Sequence, residues 1–355
     1  SIVKLLNLAV LEYLIIKRGK MKIAFFELED WEKESIKKSL KGNDLLFFKE
    51  PLSSINVQKV KDIDILAVFI YSKITKEIID SLPKLKFIAA MSTGFDHIDI
   101  EYCKSKNIRI SNVSVYGSDT VAEHTFALIL AVSRKIYPSI KRTHEQHSFE
   151  TTHDLRGFDL NNKTLGIIGC GNIGKNVAHI ALGFKMNVIA FDRHPDKNLA
   201  KLSGFKYDSF DNVLKKSDII TLHLAYTKET HHIINKKSIS KMKNGAILIN
   251  TARGGLIDTH ALIKALNSNK IASAALDVLE EECEIKEEKA ILSKKFKESC
   301  NLQTLLEDHL LMKMNKVIIT PHNAFNSNEA LNKILEITLN NIKLFILKKP
   351  ENLIN

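Results

Sequence analysis

In the stretch Thr164-Leu-Gly-Ile-Ile-Gly-Cys-Gly-Asn-Ile-Gly174, an apolar run enters a turn that contains glycines at positions 169, 171 and 174. A helical pattern follows from 175 to 184. A second apolar run, 187–191, then ends at Asp192, which lies 18 residues after the last glycine. This order of strand, glycine-rich turn, helix, strand and acid predicts a βαβ unit that binds a dinucleotide.

Each residue type in this unit has a physical role in holding a dinucleotide. Gly169 permits the tight turn, Gly171 lets the backbone approach the pyrophosphate, and Gly174 lets helix and strand pack closely. The N–H groups at the helix N-terminus can bind the phosphates. Asp192 can accept hydrogen bonds from the adenosine ribose hydroxyls, which favours NAD, although the guanidinium of Arg193 could hold the 2′-phosphate of NADP.

The composition is that of an ordinary globular protein, because 45% of the 355 residues are hydrophobic and 26% are charged. The formal net charge of +11 could indicate nucleic-acid binding, but the lysines are spread along the chain, so we expect no nucleic-acid partner. The four cysteines show no C-x-x-C spacing, so we expect neither a disulfide framework nor a metal site. This cysteine usage favours a reducing, cytoplasmic compartment.

Residues 1–20 differ from the rest of the chain. The largely apolar run from 2 to 16 is interrupted by Lys4 and Glu12 and is too short and too charged to span a bilayer. An orderly strand pattern begins at Met21, so we interpret 1–20 as an N-terminal extension. An interfacial amphipathic anchor is the alternative, but no membrane partner is expected.

The pattern along the chain predicts an α/β protein of two Rossmann-like doubly wound parallel-sheet domains with a cleft between them. A final amphipathic helix, capped by Asn326 or Ser327, is expected to pack back on the first domain and make it discontinuous. The predicted strands lie at 22–26, 63–69, 85–90, 164–168, 187–191, 219–223, 246–250, 273–277 and 317–320. We therefore expect a substrate domain at 21–119 plus 320–355 and a NAD-binding domain at 120–319.

Two segments between these units have alternative interpretations. A long helix is predicted from Thr120 to Tyr137, and its apolar residues lie on most faces, so it must be buried by the core, by a partner subunit, or by both. The Lys/Glu-rich segment 283–315 favours a solvated surface excursion over a functional lid.

Three polar patches follow predicted strands, at the edge where an open parallel sheet binds its ligand. They are Asn250-Thr-Ala-Arg253-Gly-Gly, Ala275-Leu-Asp277-Val-Leu-Glu-Glu-Glu282 and Ile319-Thr-Pro-His322-Asn-Ala-Phe325. Carbonyl reduction by a nicotinamide needs a proton donor, for which histidine is suited, and a carboxylate that orients the histidine and favours its protonated form. A guanidinium can clamp a substrate carboxylate in a bidentate manner. Arg253, Glu282 and His322 fit these three roles.

At these residues the chain resembles the D-isomer-specific 2-hydroxyacid dehydrogenases. The glycine-rich turn and the T-A-R-G, L-D-V-x-E-x-E and T-P-H-x-A segments occur in the family's order, and the resemblance covers 21 to the C-terminus. It implies Arg253 as substrate anchor, His322 as acid/base and Glu282, five residues after Asp277, as its partner. It also implies Asp277 at the nicotinamide carboxamide or ribose. The other cofactor-binding residues that it implies are Asn172, Ile173, Leu224, Ala225, Thr230, Thr251 and Ala252, besides the three glycines, Asp192 and Arg253.

Within the family, the aromatic residues Tyr71, Tyr116 and Phe325 resemble those of the branch that reduces pyruvate to D-lactate, and the turn at Thr93 and Gly94 would bind the substrate carboxylate. A reductase for glyoxylate, hydroxypyruvate or a branched 2-keto acid is an alternative. An alternative of another class is a NAD-sensing binding protein similar to corepressors that share this fold. The resemblance also implies a homodimer formed through the predicted helix at 120–137.

Overall fold

The computed structural model describes residues 20–114, 116–280, 282 and 301–355. The chain forms two compact units, one of residues up to Gly117 together with Ser327–Asn355, the other of Ser118–Asn326. The boundary expected at 319/320 therefore differs from the observed one. The reason is that the N–H groups of Thr320 and His322 donate to the carbonyl groups of Leu276 and Asp277 and tie this loop to the larger unit.

The smaller unit contains a five-stranded parallel sheet in the order β2-β1-β3-β4-β5. Its strands are β1 (Lys22–Phe25), β2 (Asp44–Phe47), β3 (Ile65–Val68), β4 (Phe87–Ala90) and β5 (Arg109–Ser111), and its first helices are α1 (Asp30–Ser39), α2 (Lys76–Asp80) and α3 (Ile100–Ser105). The strand order reverses between β1 and β3, which is the point where open α/β sheets form a ligand crevice.

The larger unit contains a seven-stranded parallel sheet in the order β12-β11-β10-β9-β6-β7-β8. The strands are β6 (Thr164–Ile168), β7 (Asn187–Phe191), β8 (Lys206–Tyr207), β9 (Ile219–Leu222), β10 (Ala246–Asn250), β11 (Ile271–Leu276) and β12 (Val317–Ile319). The helices are α4 (Ser118–Ser133), α5 (Ile136–Glu145), α6 (Asn172–Gly183), α7 (Lys197–Ser203), α8 (Phe210–Lys216), α9 (Lys236–Lys241), α10 (Thr259–Asn267) and α11 (Leu302–Lys313).

Both faces of the larger sheet are covered by apolar side chains. Leu248 of β10 belongs to one buried cluster, while its neighbours Ile247 and Ile249 belong to the cluster on the other face. Successive side chains of a strand point to opposite faces, so a strand buried on both sides reads as a continuous apolar run. This arrangement, with the strand order, confirms the predicted class of two doubly wound parallel sheets.

The last helix, α12 (Asn328–Ile346), returns to the smaller unit. Ser327, rather than Asn326, is its N-cap, because the Ser327 hydroxyl accepts a hydrogen bond from the Ala330 N–H. Ile334 and Ile342 of α12 pack in the same buried cluster as residues of β1, β3 and β4. In the structure, α12 therefore belongs to the smaller unit together with the N-terminal part of the chain.

The helix predicted from 120 to 137 is wrong in its last part. The structure has two helices there, α4 and α5, separated by Lys135 in the left-handed conformation at φ 54°. Pro138 explains the break: in a continuous helix its nitrogen would have to donate to the Arg134 carbonyl, and proline has no N–H. In the first turn of α5 that missing donor costs nothing.

The segment 283–315 is only partly within the described residues. Residues 283–300 lie outside them, whereas Leu305 and Leu311 of α11 are buried, and α11 packs on α10. The described end of this segment therefore contributes to the core, contrary to the expectation of a solvated excursion. None of the helices in the described ranges is long and apolar enough to cross a membrane.

Candidate active site

The glycine-rich turn at the end of β6 needs glycine for steric reasons that differ between its positions. Gly169 has φ +95°, and a Cβ there would lie 2.7 Å from the His223 carbonyl group. A Cβ on Gly174 would lie 2.3 Å from the Gly169 carbonyl oxygen. A Cβ on Gly171 would have no protein atom within 4 Å, so the open space beside this residue suits a bound group. The turn therefore fits the pyrophosphate of a dinucleotide.

The N-terminus of α6 lies next to this open space. The helix begins at Asn172 and Ile173 directly after Gly171, which is its N-cap and provides no side-chain cap. Asp192, at the end of β7, accepts the Cys170 N–H at 2.7 Å on Oδ2 and the His194 N–H at 2.9 Å on Oδ1. Each carboxylate oxygen can accept more than one hydrogen bond, so Asp192 can hold the turn and still receive ribose hydroxyls.

The loop that follows β9 closes on itself. The Thr230 hydroxyl donates to the Ala225 carbonyl at 2.8 Å and accepts the Thr227 N–H at 2.7 Å. Thr230 is buried, whereas Ala225 is exposed and Leu224 is partly exposed. The structure thus makes Thr230 a support for the loop, while Leu224 and Ala225 form its accessible surface.

His322 and Glu282 form a hydrogen-bonded pair. Strands β10, β11 and β12 are neighbours in the sheet, so the loops at their carboxyl ends share one edge. His322 Nδ1 lies 2.7 Å from Glu282 Oε1. An ionised carboxylate only accepts hydrogen bonds, so Nδ1 carries the proton and Nε2 is the nitrogen that can serve a substrate. The Leu279 N–H donates to Glu282 Oε2 at 3.1 Å and fixes the carboxylate from its other side.

Of the three adjacent glutamates, Glu282 is the one that contacts His322. Glu280 bonds elsewhere: its Oε1 lies 2.6 Å from His232 Nε2, and its Oε2 accepts the Thr259 hydroxyl at 2.9 Å. Glu281 lies outside the described residues. Phe325 completes this group, since its ring lies edge-on to the His322 ring at a centroid distance of 6.2 Å.

The carboxylate of Asp277 is buried and hydrogen-bonded to the loop that carries His322. It is 1% exposed, and its carboxylate accepts the Thr320 hydroxyl, the Asn323 N–H at 2.8 Å and the Ala324 N–H at 2.8 Å. Burial raises the pKa of Asp277, but hydrogen bonds from His124, Thr320 and these amides outweigh it and hold the pKa below its usual value. Asp277 therefore anchors the loop that carries His322.

The loop that carries Arg253 is shaped by Asn250, which the sequence did not single out. Buried at the end of β10, its side chain accepts the Ala252 N–H at 3.0 Å and donates to the Arg253 carbonyl at 2.9 Å. Arg253 Nη1 donates to the Ala252 carbonyl at 2.7 Å, and Thr251 Oγ1 lies 3.0 Å from Thr125 Oγ1. An asparagine after a buried strand and before a turn is the signal that could have identified this role.

The turn at Thr93 and Gly94 in the smaller unit is held by residues that directly follow β5. The Thr93 hydroxyl donates to the Val113 carbonyl at 2.8 Å, and the Asn112 side chain donates to the Thr93 carbonyl at 2.9 Å. The Ser92 hydroxyl donates to the Gly94 carbonyl at 2.7 Å. Asn341 of α12 donates to the Asn112 carbonyl at 3.0 Å, so the final helix supports this turn.

The loop with Tyr71 is held by Glu27, which the sequence also did not single out. Glu27 follows β1, and its carboxylate accepts the Tyr71 N–H at 2.9 Å and the Ser72 hydroxyl. Burial raises the pKa of Glu27, and these hydrogen bonds only partly offset the effect. The Tyr71 side chain is 47% exposed, whereas Tyr116 packs against the buried cluster that contains β1 and α12.

The fold and the histidine–carboxylate pair fit a nicotinamide-dependent dehydrogenase, and comparison with known proteins identifies its family. Residues 126–324 match the model of the D-isomer specific 2-hydroxyacid dehydrogenase, NAD binding domain. The chain is 35% identical to D-lactate dehydrogenase from Staphylococcus aureus over 324 residues, which cover 90% of this chain and 94% of that protein. It is 36% identical to glyoxylate reductase from Thermococcus litoralis over 342 residues, with coverage of 95% and 92%.

Among solved structures, that of D-lactate dehydrogenase from Aquifex aeolicus complexed with NAD and lactic acid is similar, with a TM-score of 0.82 and 38% identity. The match covers 92% of this chain and 96% of that one. This chain belongs to the D-isomer specific 2-hydroxyacid dehydrogenase family. It is a NAD-dependent oxidoreductase that acts on 2-hydroxy or 2-keto acids.

Gly254 is predicted to be essential for bringing the Arg253 loop next to the segment that carries Glu282. A Cβ on Gly254 would lie 2.0 Å from the Leu279 carbonyl group, so Gly254→Ala must separate the two loops. A displacement near 1 Å can cost about a hundredfold in rate. We expect a loss of that order in 2-keto acid reduction, measured by NADH absorbance. Gly183→Ala is the control, because its Cβ would meet no atom within 4 Å. Turnover of Gly254→Ala within twofold of native would contradict the prediction that Gly254 is essential for the close approach of these two loops.

Proposed function

We propose that this chain is a D-lactate dehydrogenase that reduces pyruvate with NADH and a proton to D-lactate and NAD. The observation that carries the proposal is the His322–Glu282 pair, with Nδ1 bonded to the carboxylate at 2.7 Å and Nε2 left for the substrate. The D-lactate dehydrogenases among the relatives support the choice of pyruvate. The D configuration of the product comes from the family.

The cofactor supplies a hydride to the carbonyl carbon, and the chain supplies the rest. His322, protonated on both nitrogens, donates the Nε2 proton to the carbonyl oxygen as negative charge develops there. Glu282 stabilises the charged imidazolium and fixes the plane of the ring. Arg253 binds the substrate carboxylate with two parallel hydrogen bonds and polarises the adjacent carbonyl.

The remaining site residues have binding roles in this proposal. Gly169, Gly171 and Gly174, with Asn172 and Ile173, hold the pyrophosphate, and Asp192 holds the adenosine ribose. Leu224 and Ala225, on the loop closed by Thr230, contact the adenosine, while Thr251, Ala252 and Arg253 line the site at β10. Tyr71, Tyr116 and Phe325 give aromatic walls that suit the methyl group of pyruvate, and Thr93 and Gly94 present N–H groups to its carboxylate.

Reduction of glyoxylate is the second candidate, because a glyoxylate reductase is as similar to this chain as the D-lactate dehydrogenases are. We expect the highest kcat/KM with pyruvate among pyruvate, glyoxylate, hydroxypyruvate and 2-ketoisocaproate, followed by NADH absorbance. Chiral analysis of the pyruvate product should show the D-isomer. A higher kcat/KM with another keto acid would reassign the substrate. Absence of turnover with all four would favour the NAD-sensing binding protein.

Substitutions at the catalytic pair should have different effects on rate and on its pH dependence. His322→Gln should lower kcat by about 10²- to 10⁴-fold, because a general acid is lost, while NADH binding measured by fluorescence is retained. Reduction needs protonated His322, so the rate falls at alkaline pH. Glu282→Gln removes the charge that favours the protonated form and should move this fall to lower pH.

A histidine outside the site provides the control for these two variants. His179 of α6 is exposed and lies 3.1 Å from the Ser203 hydroxyl, so His179→Gln should leave both kcat and the pH profile unchanged. Near-normal turnover of His322→Gln would rule out its role as proton donor. If the rate of Glu282→Gln fell at the same alkaline pH as the native rate, Glu282 would be ruled out as the partner of His322.

We further propose a homodimer in which a second copy covers α5. This helix buries none of its residues within the chain, and it exposes 45% of Ile136, 57% of Tyr137 and 52% of Ile140. An apolar helix face of this kind favours a protein interface. The native protein should sediment as a dimer, and Ile140→Glu should sediment as a monomer. The control Ile55→Glu changes a residue of the smaller unit that is 87% exposed and should leave the dimer intact. A native monomer at micromolar concentration would contradict the proposal.

The free thiols of Cys103 and Cys170 are buried, and burial raises the pKa of both. These thiols are consistent with the cytoplasmic, reducing location that we propose for the enzyme.

A further inference from the structure

His124 lies on α4 and faces the loop that carries His322, outside the residues assigned above. Its Nε2 lies 3.1 Å from Thr320 Oγ1 and 3.3 Å from Asp277 Oδ1. We propose that His124 is a positioning residue for the catalytic histidine and acts through Thr320 and Asp277. This inference rests on the proposed role of His322 as proton donor, but not on which keto acid is reduced.

The protonation of His124 Nε2 follows from the hydrogen bonds around Thr320. The Thr320 hydroxyl has one proton and donates it to Asp277 Oδ1. In the contact with His124, Thr320 Oγ1 must therefore be the acceptor. Asp277 is ionised and can only accept as well. Both contacts thus require a proton on His124 Nε2. A tautomer protonated only on Nδ1 would place the lone pair of Nε2 against two acceptor oxygens, Thr320 Oγ1 and Asp277 Oδ1.

The backbone between Thr320 and His322 shows why this donor matters for the site. His322 has φ +49°, a left-handed conformation that is uncommon for residues other than glycine, although histidine, asparagine and aspartate adopt it more often than the rest. It is held there because its N–H donates to the Asp277 carbonyl at 2.8 Å and to the Thr320 carbonyl at 2.9 Å. Pro321 has no N–H, so the loop depends on Thr320 and Asp277 for its position. His124 fixes the orientation of both side chains.

The next residue of α4 has a parallel role that supports this interpretation. Thr125 Oγ1 donates to the Val121 carbonyl at 2.8 Å and lies 3.0 Å from Thr251 Oγ1. One turn of α4 therefore supports the loop of His322 through His124 and the loop of Arg253 through Thr125. These contacts are specific hydrogen bonds at the ends of β10, β11 and β12 rather than general packing.

The first experiment compares His124→Leu, which fills similar space without a donor, with His124→Gln, whose terminal amide can donate. We expect His124→Leu to lower kcat about tenfold or more, because a misplaced proton donor slows the chemical step, and to increase the solvent isotope effect. The Kd for NADH and the Tm should remain near native. His124→Gln should recover kcat to within about threefold of native, and His179→Leu is the control outside the site.

A double-mutant cycle tests whether His124 acts through Thr320. In a Thr320→Val background, His124→Leu should lower kcat by a clearly smaller factor than in the native background, since one of its two acceptors is already gone and only Asp277 remains. Equal effects of His124→Leu in both backgrounds, native kcat in His124→Leu, or equal losses in His124→Leu and His124→Gln would each overturn the proposal.

A readout without turnover separates this proposal from the proposed function. Nitrogen-15 NMR of histidine in the intact protein should show His124 protonated on Nε2, and this remains measurable if His124→Leu does not fold. A neutral ring protonated only on Nδ1 would refute the inference. If His322→Gln kept its activity, the proposed function would fail, whereas the protonation of His124 would be unaffected.

Discussion

The buried carboxylate of Asp277 is the constraint on which the catalytic edge of the larger sheet depends. A charge that is 1% exposed must be compensated by hydrogen bonds, and the compensating donors come from the loop that follows β12. The hydrogen bonds that stabilise the buried charge of Asp277 are thus the same ones that fix the backbone around His322. This also explains why a histidine can occupy the left-handed region: several hydrogen bonds of the loop determine its conformation together.

The loops at neighbouring strands are joined by close backbone contact as well as by charge. Gly254 allows the Arg253 loop to touch the carbonyl of Leu279, and the N–H of Leu279 in turn holds Glu282. Asn250, buried at the end of β10, fixes the Arg253 backbone, and its carbonyl accepts the Asp277 N–H at 2.8 Å. Arg253, His322 and Glu282 are therefore connected through main-chain contacts between loops that follow three neighbouring parallel strands.

The sequence predicted those features that depend on local chemistry. The glycine-rich turn is recognisable because three glycines, two of them required by close contacts with backbone atoms, fall within six residues. The strand-end patches are recognisable because parallel strands place their ends at one edge. The sequence did not reveal Glu27, Asn112 or His124, because each supports a loop that is far from it along the chain. The break after α4 did have a local signal in Pro138, and the apolar pattern that continues to Tyr137 concealed it.

The same constraints hold Glu282 and His322 together, although the two residues are 40 positions apart along the chain. Glu282 is fixed by the N–H of Leu279 in the loop after β11, and Leu279 is in close contact with Gly254 of the loop after β10. His322 is fixed by the pairing of β12 with β11 and by Asp277, which lies before the segment begins. These contacts hold Glu282 and His322 from the loops that follow two neighbouring strands, β11 and β12. The entropic cost of closing a loop rises only with the logarithm of its length, so two residues that are 40 positions apart along the chain can still form a stable pair.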